Sequence, residues 1–278
     1  MGRFTASDGV AIHYEEVGAG RPLLLLHGLM AHAGFWRGQL PLANSFRLIA
    51  PDLRGHGRSP APPASVTVDR LVGDVAELVD ALDLADAVVV GWSLGAALGW
   101  PLLAGPMGDR FAASVVVDMT PCIRNAGEWQ LGLSPELIEA RAAAFRDDFA
   151  SFAAAAGPAV LGPPLEDGKA ELAAWAAQEF ARNDPAAMAA LWDSLAAQDH
   201  RPLLPRITQP TLIVRGVHSY LYGEGTSRYL ASALPHARLI EFGRSGHAPA
   251  LEEPELFNST IRSFVAELQS VAETATTA

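Results

Sequence analysis

Residues 91–95 read Gly91-Trp92-Ser93-Leu94-Gly95, between the apolar run AVVV at 87–90 and the small-residue stretch AALGW at 96–100. One serine between two glycines, at the end of a strand-like run, is the pattern of a strand-to-helix turn that presents a nucleophile. In so sharp a bend a side chain at 91 or 95 would collide with the neighbouring strand or helix, which is why both positions are glycine. The turn lifts the Ser93 hydroxyl clear of the backbone. It also aims the next helix's N-terminus at it, whose free N–H groups and dipole favour negative charge. Acyl transfer needs two donors for a developing oxyanion. The candidates are the backbone N–H of Leu94, just after the serine, and that of Leu29, in the loop after PLLLLHG at 22–28.

A serine nucleophile needs a base that follows it and sits beyond the last core strand. The stretch EFGRSGHAPALEEP at 241–254 supplies His247, in a glycine-flanked polar loop ahead of a helix. His27 precedes the serine and reads as a structural histidine shaping its loop, as do Arg54 and His56 in PDLRGHGRS at 51–59. His236 lies ahead of a strand and is expected to be exposed.

Outward from these motifs the chain alternates. Asp8-Gly9 between alternating apolar positions is a two-residue hairpin signal. Val68, Leu71, Val72, Val75, Leu78, Val79 and Leu82 fall at helical spacing. The runs at 85–91, 111–119, 210–216 and 237–243 are nearly continuous in Val, Ile and Leu, as in parallel strands buried on both faces. The expected fold is α/β, a mostly parallel central sheet flanked by helices, with a helical lid inserted late. The core is assigned to 1–120 and 207–270, the Ala-rich helical lid to 121–206 and a flexible tail to 271–278.

Composition narrows the partners. Twenty Lys and Arg against 31 Asp and Glu give a net charge of −11, which repels phosphate backbones and anionic lipid. Neither nucleic acid nor a membrane is an expected partner. The single cysteine, Cys122, excludes an internal disulfide framework and a Cys-based zinc site. No metal or cofactor is called for. With no apolar leader-like segment at the N-terminus and no run approaching the ~20 apolar residues of a membrane span, the expected location is cytoplasmic.

HGLM at 27–30, PDLRGHGRS, GWSLG and SGHAPALEEP, in that order and at these separations, resemble the α/β-hydrolase fold superfamily over the whole chain except 121–206. The GWSLG turn is similar to that of carboxylesterases acting on pimeloyl-carrier methyl esters and of some lactonases. In most such relatives the triad acid ends the strand matching PTLIVRG, as G-x-D. Here that position is His218, and the first carboxylate beyond it is Glu224. A histidine cannot stabilise the imidazolium that forms on His247; a carboxylate can. Asp118, ending SVVVDMTP one strand over from the serine, is the candidate, and VDMTP resembles the VDIAP of esterases that carry the acid there. In those the later site often holds a small polar residue, as Ser219 would here. Glu224 is the competing acid; an Asp118 that merely caps the turn after its strand is the structural alternative.

The resemblance therefore implies a serine hydrolase with Ser93 as nucleophile, His247 as base and Asp118 as acid. Its substrate would be a small carboxylic ester, thioester or lactone with a hydrophobic acyl or ring part, a carrier-bound acyl group included. Trp92, Met30, Phe35 and Cys122 are expected to line the pocket, with Trp36 near its entrance. Most of the lid aromatics between Trp129 and Trp192 are expected to pack the lid itself. Two rival readings remain: a cofactor-free oxygenase or lyase using His247 and Asp118, and a non-catalytic ligand-binding relative. Oligomeric state is not readable from the sequence.

Overall fold

A computed structural model describes residues 1–165 and 168–276. Strands β1 (Gly2–Thr5) and β2 (Ala11–Val17) pair antiparallel around the expected turn. The connection is five residues, not two. Thr5 faces Ala11, Ala6 N–H donates to Val10 O, and Gly9 (φ 86°) closes an inner turn onto Ala6 O. Asp8 uses its carboxylate to accept from Val10 N–H and from Arg54, which draws the loop open toward the core.

Strands β3 (Arg21–Leu26) and β4 (Phe46–Pro51) follow, then helix α1 (Val68–Ala81), capped by Thr67. Helix α1 buries Val68, Leu71, Val75, Leu78 and Val79, the face marked by their spacing. Strand β5 (Ala87–Trp92), helix α2 (Leu94–Ala104) and strand β6 (Phe111–Val117) complete the first part. Helices α3 (Pro135–Asp147), α4 (Phe149–Ala159), α5 (Lys169–Phe180) and α6 (Pro185–Ala196) intervene before strand β7 (Thr211–Gly216). Helix α7 (Glu224–Ala233), strand β8 (Ala237–Phe242) and the single-turn α8 (Pro249–Glu252) lead to α9 (Pro254–Thr276). With no Gly or Pro after Pro254, α9 continues into the stretch expected to fray; residues 277 and 278 lie outside the described residues.

The eight strands lie in the order β1-β2-β4-β3-β5-β6-β7-β8, parallel from β4 through β8. The central β3, β5 and β6 are buried on both faces, which accounts for their unbroken apolar runs, whereas the edge strand β8 is only half-buried and correspondingly more polar. All parallel strands end at one edge, where ligands bind in open α/β sheets. Among the described residues no helix is long and apolar enough to cross a membrane.

Candidate active site

Ser93 sits between β5 and α2 with φ 52° and ψ −116°, a left-handed conformation that a non-glycine residue holds only under constraint, at a cost of about 1–3 kcal/mol. The constraint is visible. Ser93 N–H donates to Val117 O at the end of β6, and Ser93 O accepts from Ala96 and Ala97 N–H in the first turn of α2. A Cβ on Gly91 would fall on Ala96 N and one on Gly95 on Leu26 O, so both glycines are required by the close packing of the turn. Leu94 is the first residue of α2, and its N–H has no partner available within the helix.

The β5–β6 register pairs Trp92 with Val117, so the next residue on each strand, Ser93 and Asp118, stand side by side. Asp118 also has a positive φ of 47°, and its N–H donates to Val214 O on β7. Its carboxylate is buried and accepts at one oxygen, Oδ2, from His247 Nδ1–H at 2.6 Å and from Ser219 Oγ–H at 2.5 Å. With Nδ1 occupied by a carboxylate, the proton belongs on Nδ1 and the other ring nitrogen, Nε2, is left as the basic atom. Glu224 begins α7, is half exposed and pairs with Arg228 one turn on, away from His247. His218 is exposed, its backbone N–H bonded to Ser245 O.

The backbone of His247 is held from several sides. His247 N–H donates to Val160 O at the end of α4, and Trp92 Nε1–H donates to His247 O at 2.7 Å. Buried Glu252 accepts from Gly246 N–H and Gly162 N–H, each at 2.7 Å, and pairs with Lys169 at 2.8 Å. This ties the loop carrying His247 to the helical segment above it. Gly216, at the end of β7, packs so tightly on Gly246 O that no Cβ fits between them.

Ser93 and His247 open into one cavity of about 580 Å³, solvent at its mouth included. Its core side is Gly28, Leu29, Met30 and Trp92, and its roof is Phe145, Phe152, Phe180 and Trp192 from the helical segment. Trp129 and Trp175 pack elsewhere, against Tyr229 and under Arg37. Two expected lining residues are absent from it. Phe35 is fully buried one layer back, stacked on Trp92 at 5.9 Å and on Phe180 at 5.4 Å. Cys122 is buried in a bridge to Asp199, its Sγ directed at Arg124 O, because the chain turns away from the cavity straight after Asp118. Trp36, expected near the entrance, packs instead toward Phe257 under α9.

The early histidines are structural. His27 Nδ1–H donates to Gly28 O and its Nε2 accepts from Leu53 N–H, which shapes the loop presenting Leu29. Burial, with a further push from the neighbouring His56, holds His27 neutral with a pKa of about 3; burial lowers His56 to about 4. Residues the sequence reading did not single out also meet here. Tyr222 lies 6.1 Å from the His247 ring, its phenol pushed up by burial, and Arg141 of α3 reaches the cavity from above. Their segments carry no recognisable motif; only the placing of α3 and the loop after β7 over the sheet edge brings them in.

Comparison with known proteins identifies the fold. The family model for the alpha/beta hydrolase fold matches residues 21–254. The pimeloyl-[acyl-carrier protein] methyl ester esterase of Nitrosomonas europaea is 30% identical over 258 residues, 90% of this chain and 97% of that protein. 3-Oxoadipate enol-lactonase 2 of Acinetobacter baylyi is 28% identical over 262 residues, 92% of this chain and 93% of that protein. Among solved structures, the enol-lactonase from Burkholderia xenovorans LB400 superposes with a TM-score of 0.86 at 27% identity, covering 95% of this chain and all of that one (100%). With the family match spanning strands β3 to β8, the serine turn and the histidine loop, the chain belongs to the α/β-hydrolase fold family.

Proposed function

We propose that this protein is a serine hydrolase that cleaves a carboxylic ester, thioester or lactone through an acyl-enzyme on Ser93. An ester-acting hydrolase is also what its relatives support, one named for a methyl ester and another for an enol-lactone. His247 Nε2 takes the Ser93 proton as Oγ attacks the carbonyl carbon, and the Leu29 and Leu94 N–H groups receive the oxyanion. Collapse of the tetrahedral intermediate breaks the acyl–oxygen or acyl–sulfur bond, and His247 returns the proton to the leaving group. Water, deprotonated by the same imidazole, then releases the acid. Asp118 keeps the imidazole in its working tautomer and stabilises the imidazolium.

The observation that carries this reading is the buried 2.6 Å bond from His247 Nδ1 to Asp118, one strand from a serine held at positive φ. The helical segment 121–206 acts as a lid whose aromatic roof selects a hydrophobic acyl or ring part and excludes water. A carrier-bound acyl group, as in the methyl ester esterase relative, belongs to this class.

The test is intact-mass spectrometry after fluorophosphonate treatment, with p-nitrophenyl esters of increasing chain length, for wild type and Ser93→Ala. One adduct at Ser93, with hydrolysis lost in the variant, is expected. Absence of an adduct together with activity retained in Ser93→Ala would overturn the reading and point to serine-independent chemistry, such as the cofactor-free oxygenase.

A further inference from the structure

The cavity over Ser93 is walled by aliphatic and aromatic side chains, with one fixed charge among them, the guanidinium of Arg141. This cation has no carboxylate partner among the described residues. Its neighbours on the same segment do: Arg146 pairs with Asp193 at 2.6 Å and Arg124 with Glu139 at 3.2 Å. Arg141 is instead held by rings. It lies 5.5 Å from the Trp192 centroid and 5.9 Å from that of Tyr220, and donates to Tyr220 Oη at 3.3 Å. Stacking on rings orients the planar guanidinium while leaving most of its five N–H donors free. In a chain of net charge −11, a half-buried arginine at the cavity's rim with no carboxylate partner among the described residues is poised for an anion arriving with the ligand. The fork of donors matches a carboxylate in two-point contact.

We propose that Arg141 anchors a carboxylate subsite, and that the substrate's acyl part carries a free carboxylate remote from the scissile carbonyl. The substrate class is thus a monoester or monothioester of a dicarboxylic acid, or a lactone bearing a carboxylate. This rests on the hydrolase reading above for its chemistry, but not for its binding. The subsite and Ser93 line one cavity, so a single acyl chain can reach from Leu29 and Trp92 to α3.

The experiment has two arms. In the first, kcat/KM is measured for mono-p-nitrophenyl adipate and for p-nitrophenyl hexanoate, which differ only in the terminal carboxylate. Wild type should prefer the adipate by about tenfold or more, and Arg141→Met should lower that ratio roughly 10- to 100-fold, with Arg141→Lys between them. A ratio at or below one in wild type, or one that Arg141→Met leaves unchanged, overturns the subsite. In the second arm, Ser93→Ala protein is titrated calorimetrically with monomethyl adipate and with methyl hexanoate, with and without Arg141→Met. Tighter binding of the adipate that depends on Arg141 supports the subsite even if wild type turns over neither ester, in which case only the hydrolase reading falls. Equal binding by both proteins overturns the subsite whatever the turnover. Arg141→Gln, checked by circular dichroism, replaces Arg141→Met should the latter fail to fold.

Discussion

Two neighbouring strand ends do different work at this site. Strand β6 ends in a carboxylate: Asp118, forced to a φ of 47°, turns its side chain onto His247. Strand β7, the next one over, ends in no charge at all. Its last residue, Gly216, lets the chain before His247 come within contact of the sheet, and the loop beyond it sends Ser219 back to share the Asp118 oxygen. The Asp118 oxygen thus takes a partner from each side, His247 and Ser219 of the loop after β7. What the proposed hydrolase requires is a carboxylate at Nδ1, not a particular place in the chain.

That division of labour can be broken experimentally. The largest effect should come from β6: Asp118→Asn is expected to lower kcat by about 10⁴ with little change in KM, measured on a p-nitrophenyl ester. Near-wild-type turnover would assign the acid elsewhere. At the β7 end, Gly216→Ala places a methyl against Gly246 O and should cost about 3 kcal/mol of stability, read as a lower urea midpoint at unchanged slope. If that midpoint does not move, the close approach is not a constraint.

A carboxylate moved from one end to the other sharpens the comparison further. In the Asp118→Asn background, Ser219→Asp should recover kcat by roughly 10- to 100-fold, because the residue 219 side chain already touches the acid's position. His218→Asp should recover nothing, since that residue points to solvent; rescue by His218→Asp alone would reverse the geometry argued here. By itself, Ser219→Ala removes one hydrogen bond to the carboxylate and should reduce kcat by about 3- to 10-fold. The smallest effect belongs to His218→Ala, expected within about twofold of wild type in both kcat and KM.

The two strand ends also mark where the sequence is readable. Ser93 and His247 stand in local patterns, a glycine-bracketed turn and a glycine-flanked loop after a strand, each stating its own backbone geometry. Asp118 carries a weaker one, the strand end VDMTP and its resemblance to VDIAP. It stands out once the position after β7 is seen to lack a carboxylate, and its contact with His247 spans 129 residues of chain. Proximity in sequence misleads in the same region. Cys122 stands four residues after Asp118 yet lies outside the cavity, since the chain has already turned toward Asp199. Phe35 follows the loop after β3 but lies one layer deeper, stacked between Trp92 and Phe180.

By itself the sequence determined the alternating α/β layering, the serine turn and the histidine loop, because hydrophobic period and glycine placement act over a few residues at a time. The tertiary structure alone decided which carboxylate meets the imidazole, which aromatics of the helices between β6 and β7 line the cavity and that Arg141 lines it with no carboxylate partner among the described residues. Those are distances between side chains far apart along the chain, set by strand register and by how the helices between β6 and β7 pack over the sheet edge.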